Sequence, residues 1–251
     1  MSREIFQRTE LLVGSDAMRR LASLRIIIFG VGGVGSWCAE GLVRSGIGAL
    51  TMVDPDVVCV TNINRQLPAL NSTVGVPKVD VLSKRMLDIN PDLDIKAVRL
   101  SYSSETADKF DLSSYDVIID AIDSLSDKAL LILNATASGS KLYSSMGAAL
   151  KIHPSKIVID EFWKVKGCPL AASLRHKFRK TGQFPSRKFK CVYADEIVKN
   201  KENVCESHDG SMTFNKVAVN GTFPTTVAIF GLTLANAVLV DAIQHMDLTP
   251  E

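Results

Sequence analysis

Short runs of β-branched residues alternate along the chain with longer stretches in which apolar side chains return every three to four positions. Ile26 to Ile28 is a run of the first kind; it ends in Gly30-Val31-Gly32-Gly33-Val34-Gly35, Trp37 to Ser45 continues as a helix, and Ala49 to Val53 is a second strand. Lys78 to Ile89 is amphipathic and stops at Asn90-Pro91. Strands are then expected at Ile95 to Leu100, Asp116 to Asp120 and Lys141 to Ser145, with helices at Ser104 to Phe110 and Leu125 to Ala137 between them. At the N-terminus, Phe6, Leu11, Leu12, Met18, Leu21 and Leu24 stand at helical spacing interrupted near Gly14-Ser15, which predicts two short helices. Strands and helices in this alternation predict an α/β fold: a Rossmann-like, doubly wound, mainly parallel sheet.

Beyond Gly147 the rhythm changes. Ile157 to Glu161 and Phe189 to Tyr193 read as strands, Cys168 to Lys180 as a helix, Asn200 to Val217 as a polar, mobile loop, and Thr222 to Gln244 as a long apolar helix suited to a core or a subunit contact. The expected organisation is therefore residues 1–150 as the Rossmann-like region and 151–251 as a C-terminal extension with extra strands and helices, sharing one continuous core.

The glycine turn carries the first chemistry. Gly30, Gly32 and Gly33 let the chain turn and a phosphate approach, Gly35 lets the helix lie close to the strand, and the helix N-terminus supplies N–H groups and partial positive charge. Asp54, about twenty residues on, is placed to hold a ribose. Both NAD and ATP satisfy these features. The next segment, Asp54-Pro55-Asp56 through Asn62, Asn64, Arg65 and Gln66 to Lys78, collects amide and cationic side chains that suit a triphosphate better than a nicotinamide, so ATP is favoured. Arg65 and Lys78 are the expected phosphate cations and Asn62 and Gln66 the neutral donors; a lysine in a first helical turn opposes the helix dipole, which argues for a use. Asp123, just past a strand end, is a hard carboxylate suited to Mg²⁺ on ATP phosphates, while Asp120 is expected to finish the strand and brace the loop.

Composition narrows the class. With 46% apolar and 22% charged residues in 251, the chain can bury a full core. It shows no signal segment and no uninterrupted apolar span, so a cytoplasmic protein away from membranes is expected. Five cysteines without a C-x-x-C pair argue against a disulfide framework and against zinc. The net charge of +2 conceals a basic segment: from Phe162 to Ala194 there is no Asp or Glu, against Lys164, Lys166, Arg175, Lys177, Arg179, Lys180, Arg187, Lys188 and Lys190. Phe178, Phe184, Phe189 and Tyr193 are interleaved, and a nucleic-acid surface is favoured over a merely solvated face.

The pattern GxGGVGS, then D-x-D-x-V-x-x-x-N-x-N-R-Q, then VGxPKV and DAIDS resembles the ubiquitin-activating (ThiF/MoeB-type) superfamily of ATP-dependent carboxylate-adenylating enzymes. Within it, the bacterial tRNA threonylcarbamoyladenosine dehydratases are most similar. That resemblance implies tRNA as partner, ATP and Mg²⁺ as cofactors, Asp123 as the metal carboxylate, and a homodimer in which Arg8 reaches the ATP of the other subunit. It implies adenylation of a threonyl carboxylate followed by cyclisation by the neighbouring carbamoyl group, so neither Cys191 nor Cys205 is needed as an acyl carrier. It leaves room for a monovalent cation and for a cysteine desulfurase with its sulfur-acceptor system. The alternatives are a sulfur-carrier-protein adenylyltransferase, from which the missing zinc pairs depart, and a nucleotide-dependent tRNA-binding or redox module without adenylation. Cys168-Pro169 stands where the family has Asp-Pro.

Overall fold

The computed structural model describes residues 3–202 and 220–244. One seven-stranded sheet runs through them in the order β3-β2-β1-β4-β5-β7-β6. Its strands are β1 (Arg25–Phe29), β2 (Ala49–Val53), β3 (Asp94–Val98), β4 (Val117–Asp120), β5 (Lys141–Ser145), β6 (Ile157–Glu161) and β7 (Lys190–Ala194). All neighbours are parallel except β6, which pairs antiparallel with β7 at the edge. The helices are α1 (Arg3–Ser23), α2 (Gly33–Arg44), α3 (Lys78–Ile89), α4 (Leu125–Ala137), α5 (Pro169–Thr181) and α6 (Pro224–Ile243).

Central β1 is covered on both faces, so Ile26, Ile27, Ile28 and Phe29 are at most 1% exposed and the strand needs no polar alternation. Each face carries its own core. On one, α2, α3 and α6 enclose Leu42, Val43, Leu82, Met86, Phe230 and Leu234; on the other, Ile118, Leu131, Ile132, Leu174 and Phe178 pack with the Phe162–Phe189 stack. The long apolar α6 fits the length and composition of a membrane span, yet it lies along α2 as a core helix. Gly231 makes that approach possible: a Cβ there would meet the Val34 carbonyl oxygen at 2.4 Å and Trp37 Cβ at 2.7 Å. The backbone of α6 thus buttresses the first turn of α2, which carries the glycine turn.

The N-terminal segment is two helices meeting at Gly14, whose φ 83° and ψ 162° are not helical, as the interrupted spacing predicts. Two expectations are corrected. Ser104 to Phe110 holds only a 3-10 turn at Ala107–Lys109, where Thr106 and Ser103 satisfy local backbone groups in place of helical bonds. The third strand ends at Val98, two residues early. Most of the loop expected at 200–217 lies outside the described residues, as does Cys205.

Candidate active site

The strand order reverses between β2 and β4 on either side of β1, and in open parallel sheets the crevice at the carboxyl ends of such strands takes the ligand. Here the glycine turn leaves β1 and the loop 121–124 leaves β4, side by side. Gly30 has φ 85°, and a Cβ on it would strike the Ala121 carbonyl oxygen at 2.7 Å; one on Gly35 would sit 1.8 Å from the Gly30 carbonyl oxygen. Both positions therefore require glycine. Gly32 is the N-cap of α2, with no side-chain cap over the helix N-terminus.

Asp54 directly follows β2 and is buried. Its carboxylate accepts from the Val31 N–H at 2.8 Å and from the Asp56 N–H at 2.9 Å, which ties this acid to the glycine turn. Burial pushes its pKa above the ordinary carboxylate range, against the opposing pull of Lys78 and the two N–H donors. Lys78 is itself buried, with Nζ 2.7 Å from Asp56 Oδ2 and 3.8 Å from Asp54 Oδ1. The two carboxylates compensate for a buried cation at the start of α3.

Arg65 and Gln66 follow the 3-10 turn Val60–Asn62, whose Asn62 Oδ1 accepts from the Cys59 N–H at 3.1 Å. The Arg65 guanidinium donates to the Thr61 carbonyl and to Asn64 Oδ1, both at 2.9 Å, and its stem lies beside Gly33. The Gln66 side chain faces Gly32 so closely that a Cβ on Gly32 would lie 3.6 Å from Gln66 Nε2. Its buried Oε1 has no hydrogen-bond partner among the described residues. An orphaned acceptor beside an uncapped helix N-terminus is what a bound nucleotide would satisfy.

Asp123 is exposed on the β4–α4 loop and makes no hydrogen bond or ion pair with described residues, so both oxygens are available to a hard cation. Ser124, not Asp123, is the N-cap of α4. The loop is held from beneath by Asp120, which ends β4 and braces the loop as expected, and by Lys128, which sequence reasoning overlooked. Lys128 and Asp120, both fully buried, lie 2.7 Å apart. Lys128 Nζ also donates to the Ile122 carbonyl at 3.0 Å, while Asp120 accepts from the Ile122 N–H at 3.1 Å and from Ser144 Oγ at 2.6 Å. The signal was present: Lys128 stands within the apolar stripe of α4, beside Ala129, Leu131 and Ile132.

Arg8 is exposed on α1 without a described partner in its own chain. The basic segment divides. Arg175 donates to the Phe162 and Val165 carbonyls, Arg187 to the carbonyls of Thr136, Gly139 and Ser140, and Lys190 pairs with Asp241 at 2.7 Å. Lys166, Lys177, Arg179, Lys180 and Lys188 have no such tie among the described residues, and Lys164 only a 3.8 Å contact with Asp160. Of the interleaved aromatics, Phe178, Phe189 and Tyr193 are buried in the core and Phe184 alone is exposed.

An uncapped helix start with glycines, a buried acid, cations and a free carboxylate at the β1–β4 crevice defines a nucleotide site of the adenylating α/β class. The chain belongs to the ThiF family, whose model matches residues 6–249. It is 36% identical over 248 residues to the tRNA threonylcarbamoyladenosine dehydratase of Bacillus subtilis, covering 97% of this chain and 96% of that one. To the enzyme of the same name from Escherichia coli it is 36% identical over 224 residues, 87% of this chain and 82% of the other. The crystal structure of the E. coli dehydratase with AMP superposes with a TM-score of 0.84 at 32% identity, covering 96% and 95% of the two chains; the same enzyme has been solved with ATP, TM-score 0.82 at 30% identity.

Proposed function

We propose that this chain is an ATP-dependent tRNA threonylcarbamoyladenosine dehydratase: it adenylates the threonyl carboxylate of threonylcarbamoyladenosine in tRNA and closes it to the cyclic form with loss of water. The observation that carries this reading is the convergence of the Asp54–Lys78–Asp56 cluster, Arg65 and the orphaned Gln66 oxygen on the glycine turn and the uncapped start of α2, beside the loop that carries Asp123. The dehydratase relatives at near full length support it.

Each residue then has a task. The N–H groups at the start of α2 and the Gly32–Gly33 backbone receive phosphate oxygens, and Asp54 accepts from a ribose hydroxyl. Lys78 and Arg65 face the negative charge that grows on departing pyrophosphate; preorganised cations at such a centre are worth roughly 10³- to 10⁵-fold in related phosphoryl transfers. Lys78 is prepared for this because Asp56 and Asp54 hold it in place. Mg²⁺, when bound, neutralises phosphate charge, and the unpaired Asp123 carboxylate is the residue that would hold it. The reacting nucleophile for ring closure belongs to the substrate, so no protein thiol is consumed; burial raises the Cys191 thiol well above its ordinary pKa, which suits a core residue.

The same reading includes a homodimer. Leu11 and Leu12 on α1 are 81% and 84% exposed beside the unpartnered Arg8, an apolar surface that a second subunit would cover while receiving Arg8 in its site. The deciding experiment is mass spectrometry of nucleosides from threonylcarbamoyladenosine-bearing tRNA incubated with protein and ATP. Loss of one water from the modified nucleoside is expected, with one AMP released per event. ATP turnover that leaves the nucleoside mass unchanged would overturn the reading.

A further inference from the structure

Trp163 and Phe184 stand out among the side chains that the site does not use. Trp163 is 39% exposed and Phe184 52%, their ring centroids are 6.2 Å apart, and the planes are inclined by 41°. Single exposed aromatics are ordinary, but these two touch, and the backbone beneath each is pinned. Trp163 rests edge-on against Phe162 (5.1 Å), which stacks on Phe189 in the core. The Trp163 backbone N–H donates to Glu161 Oε2 at 3.1 Å, and Arg175 clamps the carbonyls on either side of the turn. Phe184 follows the left-handed Gly182 that ends α5, and two residues later Ser186 bonds twice to Thr136 (3.1 and 2.6 Å).

The surroundings are predominantly cationic, with Glu161 under the Trp163 N–H and Asp160 3.8 Å from Lys164 as the acidic neighbours. Lys164 adjoins Trp163, Arg179 and Lys180 precede Phe184, and Lys188 follows it, in a stretch lacking any Asp or Glu. Rigid aromatic faces beside Arg179, Lys180 and Lys188, which have no ion-pair partner among the described residues, match unpaired nucleotides, whose bases all offer a π-face and whose phosphates take the positive charge. We propose that Trp163 and Phe184 form a stacking platform for unpaired bases of the tRNA, distinct from the adenylation crevice. The inference rests on the tRNA reading above.

Topology fixes where the platform lies. Antiparallel β6 ends where β7 begins, because Glu161 is registered with Lys190, and the chain after Glu161 runs away from the carboxyl edge of the parallel strands, where the glycine turn lies. β6 stands four strands from β1, and neighbouring strands lie about 4.8 Å apart, so the two sites are separated by roughly 19 Å across the sheet. The platform therefore grips nucleotides away from the reacting nucleoside. It contributes to holding the tRNA, and it touches no reacting atom.

The test uses the full-length protein, Trp163→Ala, Phe184→Ala and the double variant, with tRNA affinity read by fluorescence anisotropy. Removing one stacking side chain is expected to weaken Kd roughly five- to hundred-fold, with KM for tRNA rising in step. Trp163→Phe, which keeps a π-face, should retain most of the affinity, and an oligopyrimidine should quench the native tryptophan emission but not that of Trp163→Phe. Should an alanine variant fail to fold, Trp163→Leu with Phe184→Leu, which keeps apolar bulk but removes the rings, decides. A double variant that folds and binds tRNA within about two-fold of native overturns the platform, since stacking contributions of the expected size would then be missing. The nucleoside assay on the native protein separates this failure from failure of the dehydratase reading.

Discussion

Replacing Lys128 by methionine separates the support of the site from its chemistry. The ammonium group is fully buried, 2.7 Å from an equally buried Asp120, and bonded to the Ile122 carbonyl. Methionine fills a similar volume, so the packing of α4 against β4 and β5 is kept. What is lost is the countercharge. Removing one partner of a buried pair leaves an uncompensated charge and costs about 3–5 kcal/mol, within which the unsatisfied Ile122 carbonyl accounts for about 1–3 kcal/mol. Asp120 keeps Ser144 Oγ at 2.6 Å and the Ile122 N–H at 3.1 Å, which places the expectation toward the lower end of the range.

Against a total stability of roughly 5–15 kcal/mol such a loss leaves most molecules folded. Urea denaturation should show a lowered midpoint with unchanged slope. The second variant, Lys128→Met with Asp120→Asn, removes both charges while the amide can still accept from the Ile122 N–H; it should recover the part of the loss that comes from the uncompensated charge, and not the part that comes from the Ile122 carbonyl. Activity should follow a different course. The loop between Asp120 and Ser124 presents Asp123, and a displacement of about 1 Å at a reacting centre can cost on the order of 10²-fold in rate. ATP–pyrophosphate exchange, measured in buffer where Lys128→Met is fully folded, is expected to fall by about that factor. Native stability in Lys128→Met refutes the energetic argument, and a destabilised variant with native exchange refutes the link between the buried pair and Asp123.

Arg8→Ala and Asp123→Ala homodimers should each be poorly active; after subunit exchange confirmed by native mass spectrometry, half the dimers are mixed and each carries one complete site, so about one quarter of native activity should return under two-fold symmetry. No recovery would place Arg8 within its own subunit. Glu196 accepts from the His153 N–H, the His153 imidazole and the Ile152 N–H, which hold its pKa at about 2 against an ordinary 4.5. Its contribution to stability is thus complete above pH 4.5 and lost as the pH falls toward about 2, so Glu196→Gln should flatten the acid limb of the stability curve in that window, and an unaltered limb would refute the assignment. Neutralising Lys177, Arg179 and Lys180 should flatten the log–log salt dependence of tRNA binding by roughly 0.7 to 0.9 for each phosphate no longer neutralised; an unchanged slope would make them a solvated face. Arg187→Gln, whose donors are committed to three carbonyls, should instead lower the melting temperature.

The legible parts of this molecule are those encoded within a few residues of one another. β1, the glycine turn, α2 and β2 are written consecutively, and the steric demands on Gly30 and Gly35 arise from atoms close by in the strand–turn–helix unit and its neighbouring loop. The place of Asp54 against the glycine turn was legible for the same reason, as it directly follows the next strand. Gly231 was not, because its reason for being glycine is the Val34 carbonyl nearly two hundred residues away in the chain. The insertion of β7 between β5 and β6 likewise depends on pairing that no local pattern announces.

Charge was the property most easily overread. A lysine in an apolar helical stripe passes for a solvated residue with an imperfect pattern, yet Lys128 is buried because Asp120 lies on the adjoining strand end. In the basic segment, nine cations count alike in the sequence, but Arg187 is spent on the end of α4, some fifty residues earlier, and Lys190 on Asp241, some fifty residues later. The interleaved phenylalanines follow the same logic: Phe178 and Phe189 alternate with cations because their elements are amphipathic, the apolar face turning inward as the charged face turns out. Interleaving alone therefore cannot distinguish a nucleic-acid surface from an ordinary amphipathic element. The distinguishing feature is an aromatic ring on the cationic side, and in this segment that condition is met by Trp163 and Phe184.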